Sequence, residues 1–189
     1  MKKFISILLI SISILTLFCG CGDTGKIGIH HAEIEIENYG TVKLELDGDM
    51  APITVQNFMD LANSGFYDGL TFHRKQDGFV LQGGDPKGNG TGNSGKTIKG
   101  EFSLNGVDNT ISHKRGVISM ARSSNGYDTA SCQFFICHGD AYSLDGQYAA
   151  FGRVTEGMDI IDKICEDLPD SDRLPANKQP KIVTIRIVD

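Results

Sequence analysis

The sequence is short of positive charge. Eighteen Lys and Arg stand against 24 Asp and Glu, a formal net charge of −6, and removing residues 1–20 deletes Lys2 and Lys3 but no acid, leaving −8. A nucleic-acid binder needs a basic footprint to neutralise phosphates, so the balance argues against that class. The chain also lacks an apolar run long enough to stay in a bilayer. Phe4 to Phe18 is apolar, broken only by Ser and Thr. At 1.5 Å per residue it would cover about 22 Å of a hydrocarbon core of about 30 Å. Cysteines are few, five in all. Cys132 and Cys137 fall five apart on one predicted strand, on opposite sides and about 16 Å apart, too far for a disulfide. Cys165 could pair with either only if the fold brings it close, so the three read as buried thiols acting as small hydrophobes. His113 and His138 are distant in sequence and no ligand cluster stands near either, which leaves a metal site without support. Between Thr71 and Asp85 no nucleophile is paired with a base. Cys132 beside Gln133 has no neighbour that would lower its pKa.

What remains is an ordinary globular composition, 40% hydrophobic and 22% charged over 189 residues, enough for one domain with a substantial core. Lys2-Lys3 followed by the apolar run reads as an export signal over residues 1–20. Phe18-Cys19-Gly20-Cys21 resembles a bacterial lipoprotein signal, with Cys21 the acylated residue and membrane anchor, although Phe18 stands where Leu is usual and Cys19 is an uncommon neighbour. An ordinary cleaved signal peptide is the alternative. Residues 21–31, which include His30 and His31, read as a flexible tether, and 32–189 as the folded domain.

Within that domain, Glu33–Glu37 and Thr41–Asp47 alternate apolar and polar around Asn38-Tyr39-Gly40, predicting a β-hairpin. Pro52 opens a helix whose apolar face carries Val55, Phe58, Met59 and Ala62, and Gly65 stops it. Short strands are expected at Leu70–Arg74 and Phe79–Gln82, joined by an Asp77-Gly78 turn, and at 116–121, 133–137, 149–154 and 181–188. A second helix, 157–167, buries Met158, Ile161, Ile164 and Leu168. Many short strands with two helices, no βαβ alternation and no repeat fit an antiparallel barrel whose closure removes exposed edges.

Gly90 to Thr97 satisfies the phosphate-loop pattern G-x-x-x-x-G-K-[ST]. The mechanism needs a strand before it and a helix after it, yet 85–89 is no strand and Gly100 breaks any helix. Nucleotide binding is therefore not expected. The informative stretch is 71–85, where a cation, Arg74, stands near Phe72, Phe79, Val80, Gln82 and the Gly83-Gly84 pair. Its chemistry is electrostatic and steric.

Phe72-His73-Arg74 and Gly78 to Asp85 closely resemble the cyclophilin family of peptidyl-prolyl isomerases, as do 116–121, Ser131 to Ile136 and Leu144 to Gly152, in the family's order. The resemblance spans roughly 32–188. It implies a mainly β fold, a closed eight-stranded antiparallel barrel capped by two helices. It implies cofactor-free isomerisation of X-Pro bonds in exported polypeptides, with unfolded or nascent proline-containing chains as partners and no nucleotide or nucleic acid. The catalytic positions it implies are Arg74, Phe79, Gln82, Gln133 and Phe135. The substrate-binding positions are His73, Val80, Ala121, Arg122, Leu144 and Tyr148. His73 reads equally as a satisfied core histidine. Phe134 and Phe135 point oppositely on a strand, so only one faces a groove, and the resemblance selects Phe135. Ser143 replaces a frequent tryptophan, Tyr148 a frequent histidine and Arg122 a frequent asparagine, which implies weak cyclosporin binding more than lost catalysis. A prolyl-peptide binding module or holdase without turnover would need the same pocket.

Overall fold

The computed structural model describes residues 27–189; the proposed signal segment, Cys21 and most of the proposed tether lie outside these residues. Strands β1 (Ile29–Ile36) and β2 (Gly40–Asp47) form the expected hairpin, with Ile34 opposite Val42. Their alternation puts Ala32, Ile34, Ile36, Val42, Leu44 and Leu46 in the core. β1 starts earlier than the tether boundary allowed. His30 and His31 are strand residues, the Asp189 carboxylate holds both rings, and the Val188 amide donates to the His31 carbonyl at 3.0 Å. The pairing with β2 extends from Ile29 to Ile36, so these histidines are structural.

Helix α1 (Pro52–Asn63) lays Val55, Phe58, Met59 and Ala62 on the sheet. Proline at its start suits a position whose N–H needs no partner inside the helix. Two of its free amides are met from 47 and 48 residues away. The buried Glu101 carboxylate accepts from Ile53 N–H at 3.0 Å, Thr54 N–H at 2.8 Å and the Thr54 hydroxyl at 2.6 Å. The later strands are β3 (Phe72–Gln76), β4 (Val80–Gly83), β5 (Val117–Met120), β6 (Phe134–Cys137), β7 (Ala149–Glu156) and β8 (Ile182–Ile187). Helix α2 (Met158–Asp167) precedes β8 and buries Ile161, Ile164 and Cys165.

The eight strands run β3-β4-β6-β5-β7-β2-β1-β8, with every neighbouring pair antiparallel. The sheet is an open half-barrel, which corrects the expected closure. Its edges β3 and β8 meet at one bridge, Thr71 with Lys181. Beyond that point the loop at 171–174 covers the edge of β3. Lys75 and Ser171 exchange backbone hydrogen bonds of 3.0 and 2.8 Å, and Leu174 N–H donates to the His73 carbonyl at 2.8 Å. The edge is protected without a ladder to β8, which serves the purpose that closure would have served.

Candidate active site

The β3–β4 hairpin sets the site. It turns at Asp77-Gly78, with Gly78 at φ 64°, a conformation free of Cβ strain only in glycine. Phe72 pairs with Gly83 and Arg74 with Gln82, so β3 carries an extra residue at His73. This bulge reverses the alternation: Phe72 lies in the core, while Arg74 emerges on the opposite face. Gln82 is also the partner of Phe135, and Val80 of Cys137, so these side chains share that face.

A chain of hydrogen bonds crosses it. Arg74 Nε donates to Asp172 Oδ1 at 2.8 Å and Nη1 to Gln82 Oε1 at 3.4 Å. Gln82 Nε2 donates to Gln133 Oε1 at 3.0 Å, and Gln133 Nε2 to the Gly92 carbonyl at 2.8 Å. Each amide has its donor and acceptor ends fixed by its neighbours. The Arg74 guanidinium also lies 5.9 Å from the Phe79 ring centroid.

Beside this polar row sits an apolar pocket, built from the second, smaller hydrophobic cluster. Val80 and Phe135 form its buried floor with Val117, Cys137 and Ala150, and Phe79, Ala121, Leu144 and Tyr148 stand around them. Tyr148 meets Phe135 edge-on at 5.9 Å. Behind Phe135, stacked at 6.0 Å, is the buried His113. Its Nδ1 lies 2.8 Å from Asp145 Oδ1 and its Nε2 3.0 Å from the Ser119 hydroxyl. Burial lowers the His113 pKa, against the opposing pull of Asp145. At Asp145, burial pushes the carboxyl upward, but hydrogen bonds from Ser112 and His113 outweigh it and leave the pKa below the usual value.

Ten of the eleven expected site residues gather here; His73 does not. It is 1% exposed, its Nδ1 is a buried atom without a hydrogen-bond partner among the described residues, and its Nε2 faces the Gly90 backbone. The bulge turns it beneath the surface, where burial lowers its pKa. The adjoining glycine loop is organised around Asp85, whose carboxylate accepts from the amides of Lys87, Asn89 and Gly90 at 2.8, 2.9 and 2.6 Å. Of these amides only that of Gly90 belongs to the phosphate-loop pattern, and beyond the pattern Ile98 leads into a bridge with Ala130 rather than a helix.

Two contributors were not read from the sequence. Asp172, which grips Arg74, is 98 residues away in a segment without periodicity. The cation–aromatic cluster around Arg122 depends on Phe102, Tyr127 and Tyr148, which come from three separate loops. Cys132, Cys137 and Cys165 are buried and free, as the sequence reading expected. Burial pushes their thiols up to about 11, about 12 and about 11, which leaves them poor nucleophiles.

Fold and site together define a mainly antiparallel β protein of the cyclophilin type, with an apolar pocket edged by a fixed guanidinium and two oriented amides. A family model described as cyclophilin type peptidyl-prolyl cis-trans isomerase/CLD matches residues 31–187. The chain is 49% identical over 129 residues to a peptidyl-prolyl cis-trans isomerase of Helicobacter pylori, covering 67% of this chain and 76% of that protein. It is 48% identical over 125 residues to peptidyl-prolyl cis-trans isomerase B of Bacillus subtilis, covering 66% and 83%. Among solved structures, a Cryptosporidium parvum cyclophilin type peptidyl-prolyl cis-trans isomerase, crystallised in the presence of the dipeptide Ala-Pro, is similar with a TM-score of 0.75 at 31% identity, over 84% of this chain and 99% of that one. The chain belongs to the cyclophilin-type peptidyl-prolyl cis-trans isomerase family and is an isomerase.

Proposed function

We propose that the isomerase works by holding an X-Pro bond over the apolar pocket and stabilising its twisted state through Arg74. Resonance gives the peptide C–N bond a rotational barrier of about 18–20 kcal/mol. Rotation through the perpendicular state breaks that resonance and leaves a lone pair on the prolyl nitrogen. A guanidinium can donate to this lone pair only when the bond is twisted, which is differential binding of the transition state. The observation that carries the reading is the fixation of Arg74 by Asp172 and Gln82 at the pocket's edge, with Nη2 left without a hydrogen-bond partner among the described residues. Arginine suits the task because it stays charged and planar and presents several donors. Val80, Phe135, Phe79 and Leu144 receive the proline ring. Gln82 and Gln133, tied to one another and to Gly92, orient the substrate backbone.

Exchange-spectroscopy NMR on an Ala-Pro peptide tests this. Arg74→Ala should lower kcat/KM at least tenfold, the effect of about 1.4 kcal/mol of lost transition-state stabilisation, with thermal stability nearly unchanged. Normal turnover by the variant refutes the mechanism.

The substrates we infer are proline-containing segments of exported polypeptides, and the location we infer is the outer side of a bacterial membrane, with the chain anchored by a lipid on Cys21. The support is the charged-then-apolar N-terminus and the Phe18-Cys19-Gly20-Cys21 sequence. Fatty-acid labelling of wild type and Cys21→Ser decides it, and label persisting in the variant or absent from wild type removes the anchor.

A further inference from the structure

The turn between β3 and β4 ends on Phe79, at the edge of the groove, and its amides find three different acceptors. Phe79 N–H donates to the Gln76 carbonyl at 3.1 Å, Asp77 N–H to Asp170 Oδ1 at 2.8 Å, and Gly78 N–H to Nδ1 of His138 at 3.0 Å. Of these acceptor types only histidine ordinarily changes charge between about pH 5 and 8, and it becomes a donor when it does. We propose that His138 is a positioning residue for the isomerase reaction: neutral, it holds the turn and Phe79 in place beside the pocket, and protonated, it releases Gly78 and loosens that wall. The proposal rests on the reading of the groove as the prolyl site.

His138 lies in the loop after β6, with 15% of its side chain exposed. Its backbone N–H donates to the Phe79 carbonyl at 2.9 Å, and a Cβ on the following Gly139 would stand 2.3 Å from the Gly78 carbonyl oxygen, so loop and turn lie against one another. Accepting from Gly78 requires Nδ1 to be unprotonated, which puts the ring proton on Nε2, 3.1 Å from Asp162 Oδ1 on α2. Arg115 fixes both partners. Its Nη2 donates to the two Asp162 oxygens at 2.7 Å each, and its Nη1 to the His138 carbonyl at 2.7 Å. On the turn side Asp77 Oδ1 lies 3.3 Å from Nδ1, with Lys75 Nζ 3.9 Å from the same oxygen. Asp140, on the loop itself, accepts from Arg115 N–H at 2.9 Å and the Tyr142 hydroxyl at 2.7 Å. A proton added to Nδ1 sets one donor against another, the Gly78 N–H. Asp77 is then the acceptor in reach, so the imidazolium exchanges an amide for a carboxylate rather than standing unpaired. Gly78 loses its acceptor among the described residues, and the turn loses a tie to the loop. Phe79 comes next in the chain and lies 5.9 Å from the Arg74 guanidinium, so the displaced wall is the one between that cation and the proline ring.

Exchange NMR on an Ala-Pro peptide, run from roughly pH 8 to 5, tests this. His138→Asn places an acceptor where Nδ1 stands but cannot change charge. The ratio of wild-type to His138→Asn kcat/KM should fall about threefold across that range, the effect of losing one neutral hydrogen bond. Protonation elsewhere, at His73 and His113 included, cancels from the ratio. The fall should lie in KM more than in kcat, because Phe79 meets the proline ring whatever the twist of the bond. In wild type the Gly78 amide resonance should shift with the same midpoint. Asp77→Asn keeps a favoured Asn-Gly turn and removes the carboxylate that receives the imidazolium, so both midpoints should move to lower pH. A constant ratio overturns the proposal. So does a Gly78 amide that fails to titrate in wild type, which needs no variant. A Gly78 amide that titrates in a protein turning over no peptide at any pH would uphold the hold of His138 on the turn while refuting the reading of the groove, so the two failures are told apart.

Discussion

Asp172 is the sharpest probe of how the site is held together, because it touches Arg74 and lies outside the apolar pocket. It accepts from Arg74 Nε at 2.8 Å and from Gln76 Nε2 at 3.1 Å, which fixes the side of the guanidinium facing away from Gln82. Asp172→Ala removes that hold and leaves Gln82 as the remaining hydrogen-bond partner of Arg74 among the described residues. Hydrogen bonds to charged groups can be worth about 1.5–3 kcal/mol, but Asp172 is 79% exposed against 27% for Arg74. Water screens the pair, so the figure for exposed ion pairs applies, about 0.2–1 kcal/mol. At 1.36 kcal/mol per tenfold, the upper end is a loss of about fivefold in kcat/KM. The loss should fall on kcat, because Arg74 acts on the twisted bond more than on the bound ground state. Asp172→Asn keeps an acceptor at the same place and should recover about half of the lost activation free energy. The pH dependence adds a second check. The hydrogen bonds from Arg74 and Gln76, with the charge of Arg74, hold the Asp172 carboxyl below its ordinary value of 3.8. A depressed carboxylate contributes fully above its unfolded pKa and is lost only as pH falls through the lower folded one. The ratio of wild-type to Asp172→Ala activity should therefore be flat from pH 5 to 9. Unchanged kcat/KM in Asp172→Ala, or a ratio that changes near neutral pH, refutes the positioning role.

Three other perturbations have clear expected outcomes. Glu101→Ala strands two amides and a hydroxyl at the start of α1 and should cost about 2–4 kcal/mol in urea unfolding, with Glu101→Gln recovering part; an unchanged midpoint would show that water replaces the carboxylate. His73 and His113 both have pKa values lowered chiefly by burial, so below about pH 6.5 the unfolded chain binds protons that the folded chain refuses, and stability falls with pH. His73→Leu should reduce the slope of Tm between pH 7 and 5, and an identical slope would clear His73 of that role. Ser143 is exposed beside Leu144 and its carbonyl accepts from Gln147 Nε2 at 2.8 Å; Ser143→Trp adds an indole donor and a large apolar face, and should tighten cyclosporin inhibition several-fold with little change in turnover. Equal inhibition constants would place Ser143 outside the drug's footprint.

The parts of the fold that could be read in the sequence are those with unbroken periodicity. Ile34, Ile36, Val42, Leu44 and Leu46 alternate, and they are buried on one face of β1 and β2. Val55, Phe58, Met59 and Ala62 recur at helical spacing, and they are the buried residues of α1 together with Thr54. Long-range polar pairing has no such signature. Glu101 reaching α1, Asp172 reaching Arg74 and Asp170 reaching the buried Lys75 each join segments whose spacing carries no information about contact. The open sheet has the same origin, because the loop at 171–174 that covers β3 shows no alternation of its own.

Strand β3 lies between these cases, and it explains why Arg74 stands at the groove while His73, expected beside it, lies beneath the surface. Simple alternation along β3 would put Phe72 and Arg74 on one face and His73 on the other. A strand obeying it could serve the core or the groove, but not both: with Phe72 inside, the guanidinium would be buried among Phe58, Tyr67 and Phe134, without the partners a buried charge requires. The extra residue at His73 removes the conflict. Phe72 packs edge-on to Phe134 at 5.9 Å, and one bulge later Arg74 faces Gln82 on the far side of the sheet. The residue in between lies under the glycine loop, with a nitrogen left unpaired among the described residues. The buried His73 and the emergent Arg74 are therefore two consequences of the same backbone irregularity, and periodicity could not have predicted either one without the other.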